Sequence, residues 1–284
     1  MGAMIRRNLK VFFRDKSAVF FSLLAVIIVI ALYAVFLGDT ITSGMEEIEG
    51  IGFLMNSWII SGILAVISMT STLGAFGVMV DDKSKKIMKD FTVSPIKRGS
   101  LAGGYVLSAY CVGVIMSLVA LVIGEVYIVA SGGDILSAEN MAKVVAGILL
   151  SVLSSSSIVF LIVSFIKSQN AFGTVSTIIG TLIGFLTGVY IPIGTLPEAV
   201  GNVIRVFPVS YSASYFRTVM TEQPAAISFD GAPASALKEF NTELGINFQF
   251  GDHTTTLATC VIVMIITAAV FFTLSLAVMA KKRK

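Results

Sequence analysis

The sequence predicts an all-α, polytopic membrane protein with six transmembrane helices, an N-terminal interfacial helix and outer re-entrant helices before the last span. Three observations predict it. Charged residues make up 13% of the chain and hydrophobic residues 56%; a soluble domain carries about 25% charged residues. Six stretches free of Asp, Glu, Lys and Arg are each 22 residues or longer, and about 20 apolar residues cross a bilayer as a helix. Lys and Arg are also split unevenly between alternate connections, which sets an orientation.

The chain begins with an amphipathic stretch, 4–16. Ile5, Leu9, Phe12 and Phe13 fall on one helical face, and Arg6, Arg7, Lys10 and Arg14 take the rest. That pattern suits a helix lying at the membrane interface with its basic face on headgroups. A plain charged lead-in to the first span is the alternative. The apolar run that follows is too long for a signal peptide, and no small-residue cleavage site follows it.

The six uncharged runs cover 17–38, 50–80, 99–124, 144–166, 168–197 and 253–280. They place spans at about 17–38, 52–80, 100–124, 144–166, 169–190 and 255–280. Lipid offers no partner to backbone N–H and C=O groups, so each span must be helical. With the N-terminus inside, sixteen of the twenty Lys and Arg fall on inner segments. The four outer ones are Lys143, Arg205, Arg217 and Lys238. Both termini are therefore expected in the cytoplasm of a multi-pass protein, with an even number of spans.

The outer connections differ in kind. Residues 39–49 are short and acidic, with Asp39, Glu46, Glu47 and Glu49, and 125–143 are also short. Residues 191–220 are apolar but interrupted by Pro192, Pro197 and Pro208. Proline ends or kinks helices, so short helices dipping back into the outer leaflet are expected, covered by protein. A seventh span within 198–221 is the alternative; Glu198, Arg205 and Arg217, and the odd parity it brings, count against it. Residues 221–252 are polar and acidic, an outer loop.

Several chemistries are excluded. A single histidine, His253, and two cysteines inside spans, Cys111 and Cys260, cannot build a zinc site. Asp81-Asp82 is followed by Lys83, Ser84 and Lys85, so the third acid of an aspartate-rich prenyl-binding motif is absent. No GxxxxGK[ST] phosphate loop occurs. A net charge of +3 does not imply nucleic acid. Ion-driven carriers keep carboxylates in the membrane, and here the only candidate, Glu125, sits near the outer surface. A transporter with a neutral membrane domain needs its energy from outside.

Residues 81–98, DDKSKKIMKDFTVSPIKR, carry six basic residues between two long apolar runs. Ile87, Met88 and Phe91 give a short helix an apolar edge, and Val93-Ser94-Pro95 stops it. Such a helix either rests on lipid headgroups or is gripped by a soluble partner.

Here the residues resemble a family. Asp82-Lys83, Met88, Phe91 and Val93-Ser94-Pro95 are similar to the coupling-helix region of type-2 ABC export permeases, with Lys86 where the family often has Gly and Lys89 where it often has Glu, the acid being displaced to Asp90. Pro192, Leu196-Pro197, Phe207-Pro208, Tyr211 and Phe216-Arg217 resemble its outer re-entrant segment. The resemblance implies a subunit of the bacterial plasma membrane that is not itself an enzyme. It implies a second permease copy or a homologous permease, and two separate ATPase subunits that bind ATP and Mg, leaving no cofactor on this chain. Asp82, Lys83, Ile87, Met88, Phe91, Ser94 and Pro95 would couple to the ATPase. An amphiphilic cargo (a drug, peptide antibiotic or lipid-like molecule) would pass between the two permeases, along the second and fifth spans.

Both spans carry small residues at helical spacing. Ser57, Ser61, Ala65, Ser68 and Thr72 form one stripe, and Ser176, Gly180, Gly184 and Gly188 another. Small residues let helices approach closely, either within one chain or at a dimer seam or pathway wall. Ser154–Ser157 suit hydroxyls bonded back to their own helix. The reading that joins these features is the permease subunit of an ATP-driven exporter. A stand-alone membrane sensor or immunity protein that binds a peptide with its acidic outer region is the alternative from another class, and a secondary carrier is a third.

Overall fold

The computed structural model describes residues 1–33, 48–93, 98–251 and 253–281. Helix α1 (Gly2–Arg14) ends at Asp15, whose carboxylate then caps α2 (Lys16–Leu32) by accepting the Ala18 N–H at 3.0 Å. One residue thus stops one helix and starts the next, and the two axes meet at 77°. Five helices are long and apolar enough to cross a membrane, and α1 with α2 makes a sixth if that bent pair is one span. Residues 34–38 of the first expected span, and the acidic stretch 39–47 after it, lie outside the described residues.

The central element is α3 (Ile51–Ser84). Its 34 residues measure about 50 Å, longer than the roughly 30 Å of hydrocarbon. It therefore runs past Val80, and Asp81-Asp82-Lys83-Ser84 form its last turn instead of opening a separate connection. Lys86 then takes φ +63°, in the left-handed region, alone among the described non-glycine residues. That turn releases the chain into α4 (Ile87–Val93). Next come α5 (Arg98–Ala130), α6 (Ala138–Phe165) and α7 (Gln169–Leu186). Helix α5 continues beyond residue 124, which puts Glu125 inside a helix.

The core sits around α3, which packs against α2, α5, α6, α7 and α9. Leu54, Trp58, Leu64 and Phe76 have no exposed surface. Lipid tails are as apolar as leucine, so close packing replaces the hydrophobic effect as the glue between helices. A Cβ added at Gly113 on α5 would strike Val152 and Thr72, and one at Gly147 on α6 would strike Tyr215. Burial is uneven: 72% of the apolar window of α3 lies inside the chain, against 11% for α7. Helix α7 thus presents most of its surface outward.

After α7 come a 3-10 turn (Ile193–Thr195), α8 (Glu198–Val206) and α9 (Pro208–Met220). Pro192 and Pro197 precede the first two, and Pro208 occupies the first turn of α9. The prolines start these elements, where a missing N–H costs nothing. Helix α9 is buried almost throughout and packs on α3, α6 and the last helix. Residues 221–252, expected as a loop, hold two short helices, α10 (Glu222–Ser228) and α11 (Ala234–Glu243). A hairpin of two-residue strands, β1 (Gln249–Phe250) and β2 (His253–Thr254), departs from the all-α expectation; it pairs Gln249 with Thr254 and Phe250 with His253. Helix α12 (Leu257–Lys281) closes the bundle against α6.

Candidate functional site

The last turn of α3 is the hub of one end of the bundle. The Arg7 guanidinium forks onto Asp82, with Nη2 donating to Oδ1 at 2.8 Å and Nη1 to Oδ2. The Tyr105 hydroxyl donates to the same carboxylate at 2.5 Å. Asp82 is buried, and its bond to Arg7 holds that guanidinium still more firmly protonated than usual. Beside it, the Asn8 amide donates to the Ser108 hydroxyl at 3.1 Å. Asp81 points the other way and accepts from Lys85 at 2.7 Å and from Gln169 at 3.2 Å. Lys83 Nζ donates to the Val163 carbonyl at 3.1 Å. One turn of α3 is thereby bonded to α1, α5, α6 and α7.

Helix α4 leans on this hub through Phe91, whose ring centre lies 5.4 Å from Arg7 Cζ. Met88 and Phe91 are half-buried against the core, and Ile87 is half-buried as well. Ser84, Lys85, Lys86 and Asp90 are exposed. So are Arg6, Lys10 and Arg14 on the far side of α1. The surface here is basic, while Asp82 and Lys83 work within the chain. Ser94 and Pro95 lie outside the described residues. The face α1 turns inward is centred on Asn8 and Phe12, with Phe13 exposed. Asn8 finds Ser108, which makes a polar residue welcome there.

The second cluster lies at the other end. Arg217 of α9 has no exposed surface. Its Nη2 donates to the Gly188 carbonyl at 2.9 Å and its Nη1 to the Gly245 carbonyl at 3.3 Å, and its Cζ sits 4.7 Å from the centre of the Trp58 ring. Trp58 Nε1 donates to the Leu244 carbonyl at 2.8 Å, and the Tyr33 hydroxyl to the Val189 carbonyl at 2.7 Å. Gly188 and Gly245 follow the C-terminal ends of α7 and α11, where peptide dipoles present negative charge. Both adopt positive φ, 66° and 63°, with Ile193 packed against them. In the sequence Arg217 counts as an outer basic residue, as an argument against a seventh span and as part of the proline-rich segment, with no partner assigned to it. A lone arginine among aromatics in an apolar run, with Gly188 upstream, was the available signal.

The small-residue stripes separate. Ser57, Ser61, Ala65, Ser68 and Thr72 are buried inside this chain. Ser68 meets Ser117 of α5 at 3.4 Å, and Thr72 bonds back to the Ser68 carbonyl at 2.6 Å. On α7, Ser176 is half-buried, with a hydroxyl that has no partner among the described residues. Gly184 and Gly188 are packed under Tyr190 and Ile193. Gly180 has open space beside it and lines an apolar cavity of about 130 Å³ with Val26, Ile63 and Val189, between α2, α3 and α7. Within Ser154–Ser157, Ser157 bonds back to the Leu153 carbonyl at 2.9 Å, whereas Ser155 and Ser156 find no partner among the described residues.

Cys111 and Cys260 are free thiols, and no group of three His, Cys, Asp or Glu comes together among the described residues. The pattern of the family described as ABC-2 type transporter matches residues 1–221. That stretch runs from α1 to the residue after α9 and holds the whole Asp82 hub together with Arg217 and Trp58. No curated protein matches the chain.

Proposed function

Because the chain belongs to the ABC-2 type transporter family, we propose that it is the permease subunit of an ATP-driven exporter that moves an amphiphilic compound out of the cell. In this reading the α1–α2 pair supplies the first of six spans, with α1 lying at the inner interface. Both termini are cytoplasmic, and α8 and α9 form the re-entrant outer segment. Two separate ATPase subunits bind ATP and Mg, and a second permease, identical or homologous, completes the pathway. The weakly buried α7 supports that last step, since most of its apolar surface is free for another helix to cover.

The observation that carries the reading is the bonding of the last turn of α3 to α1 through Arg7, next to the Arg7–Phe91 contact with α4. A partner that grips the exposed Lys85 and Lys86 and the α4 helix behind them moves α1 and α3 together. Helix α3 is the most deeply packed span, so the motion reaches the opposite end without a flexible joint along the way. ATP closure thus becomes rearrangement of the transmembrane helices.

The test is purification of the chain from its native host in mild detergent, with mass spectrometry of what accompanies it. The expected result is a stoichiometric soluble protein carrying a phosphate-binding loop, lost when Phe91 is replaced by Asp. Recovery of the chain alone, under conditions where other ABC complexes survive, would overturn the reading.

A further inference from the structure

Helix α1 shows the outside of the bundle a row of cations, and its seating fixes which residues form that row. A Cβ added at Gly103 or Gly104 of α5 would strike the Met1 or Met4 side chain, and Phe12 lies beside Gly74 of α3. With the Asn8–Ser108 bond, these contacts hold α1 at one rotation about its own axis. Arg6, Lys10 and Arg14, each one step of four residues from the next, are exposed on the opposite side. They line an open hollow of about 700 Å³ together with the small residues Gly2 and Ala3.

None of the three has an ion-pair partner among the described residues, and α1 holds no acid of its own. Arg7, the fourth base of the helix, is the one that Asp82 neutralises. The outward surface is not purely polar. Seating Asn8 inward leaves Phe13 37% and Val11 42% exposed, one on each side of the basic row.

The 77° bend at Asp15 lays α1 nearly across α2, so a bilayer that α2 crosses has α1 along its surface. Uncompensated cations with apolar neighbours at that depth fit a net-negative headgroup with acyl chains beneath it. A zwitterionic headgroup brings its own cation and offers the row no net charge. A soluble anion leaves Phe13 and Val11 in water. Arginine suits phosphate in particular, since its fork donates two N–H groups at once.

We infer that the Arg6–Lys10–Arg14 row is a binding surface for acidic phospholipid, with Phe13 and Val11 in the acyl region beside it. Charge selectivity, carried by three residues, separates such a site from general contact between an interfacial helix and headgroups. The inference does not rest on the export reading, since it concerns binding by this chain alone.

The experiment uses the full chain in phosphatidylcholine nanodiscs with a trace of photoreactive phosphatidylglycerol as the probe. Unlabelled phosphatidylglycerol is the competitor, and labelled peptides are mapped. Labelling within residues 1–16, competed by phosphatidylglycerol but not by phosphatidylethanolamine, is expected. Arg6→Gln and Lys10→Gln, each on an exposed side chain, should separately raise the half-competing fraction about fivefold, the worth of one basic residue at an anionic surface. Lys281→Gln, Lys282→Gln and Arg283→Gln together remove three charges from the tail and should leave that fraction unchanged. Labelling that spares α1 would leave the row to a soluble protein and overturn the inference. So would equal competition by phosphatidylethanolamine, undiminished binding in both α1 variants or an equal loss in the tail variant. Displacement by inorganic phosphate at constant ionic strength would overturn it as well, by showing a site for a small anion.

Discussion

Arg217 stacks on Trp58 at 4.7 Å, and its charge is met by peptide carbonyls instead of a carboxylate. The stack contributes up to about 2 kcal/mol when desolvated, and each charge-assisted bond to a carbonyl about 1.5–3 kcal/mol. Removing the guanidinium orphans the Gly188 and Gly245 carbonyls together. Arg217→Lys has one ammonium where two spread N–H groups are needed, so it should lose about 2–4 kcal/mol of stability. Thermal unfolding in detergent measures this. A melting point equal to that of the parent would mean the cluster is not a clamp.

Trp58→Phe makes a finer cut. The ring remains for Arg217 to lie on, but the bond from Nε1 to the Leu244 carbonyl disappears. The expected loss is about 1–3 kcal/mol, the cost of a buried acceptor left unmade. Hydrogen exchange should rise chiefly at 244–248, next to the carbonyl that lost its donor. Uniform exchange changes across α3 would contradict that local account.

Arg7 and Asp82 are predicted to couple strongly. Asp82→Asn leaves a fork without its charge partner, and Arg7→Gln leaves a buried carboxylate. The double variant should be less damaging than the two losses added, by about 1.5–3 kcal/mol, discounted because the Arg7 side chain remains a third exposed. A double-mutant cycle on thermal stability checks it. Additive losses would show that Asp82 is held by Tyr105 alone.

Phe91→Ala removes the ring that covers Arg7 while leaving the Asp82 bonds in place. In vesicles with the partner ATPase, export should fall while ATP hydrolysis and expression persist. Unchanged transport would sink the idea that force passes through this contact.

Lys86 adopts a backbone conformation that costs an L-residue about 1–2 kcal/mol. Lys86→Gly relieves it, at some cost in unfolded-chain entropy, and should raise stability by about 0.5–1 kcal/mol. Lys86→Val should lower it, because a branched Cβ crowds the left-handed region. A melting series over Lys, Gly and Val decides the order. The resemblance to the coupling region places glycine at this position, and the turn geometry supplies the reason.

Much of the architecture is legible in the chain because lipid is a demanding solvent. Apolar length and the absence of charge mark all six expected spans, and five of them are single helices long and apolar enough to cross a membrane. Pro192, Pro197 and Pro208 look like interruptions in the sequence and are helix starts in the structure, since proline is written the same way in both settings. Hydropathy falls at the first charge and so puts Glu125 in a connection, whereas the helix continues as long as its backbone bonds do.

Helicity and membrane embedding are written along the chain, because they follow from periodicity and transfer free energy, which are local. The partners of its few polar groups depend on how the helices come together. Asp82 turned inward to Arg7 while Asp81, one residue away, turned to Lys85 and Gln169. The stripe from Ser57 to Thr72 went into the bundle while much of α7 stayed outside. Spacing identifies a helical face, but what covers that face depends on where distant helices cross, and no local pattern records it.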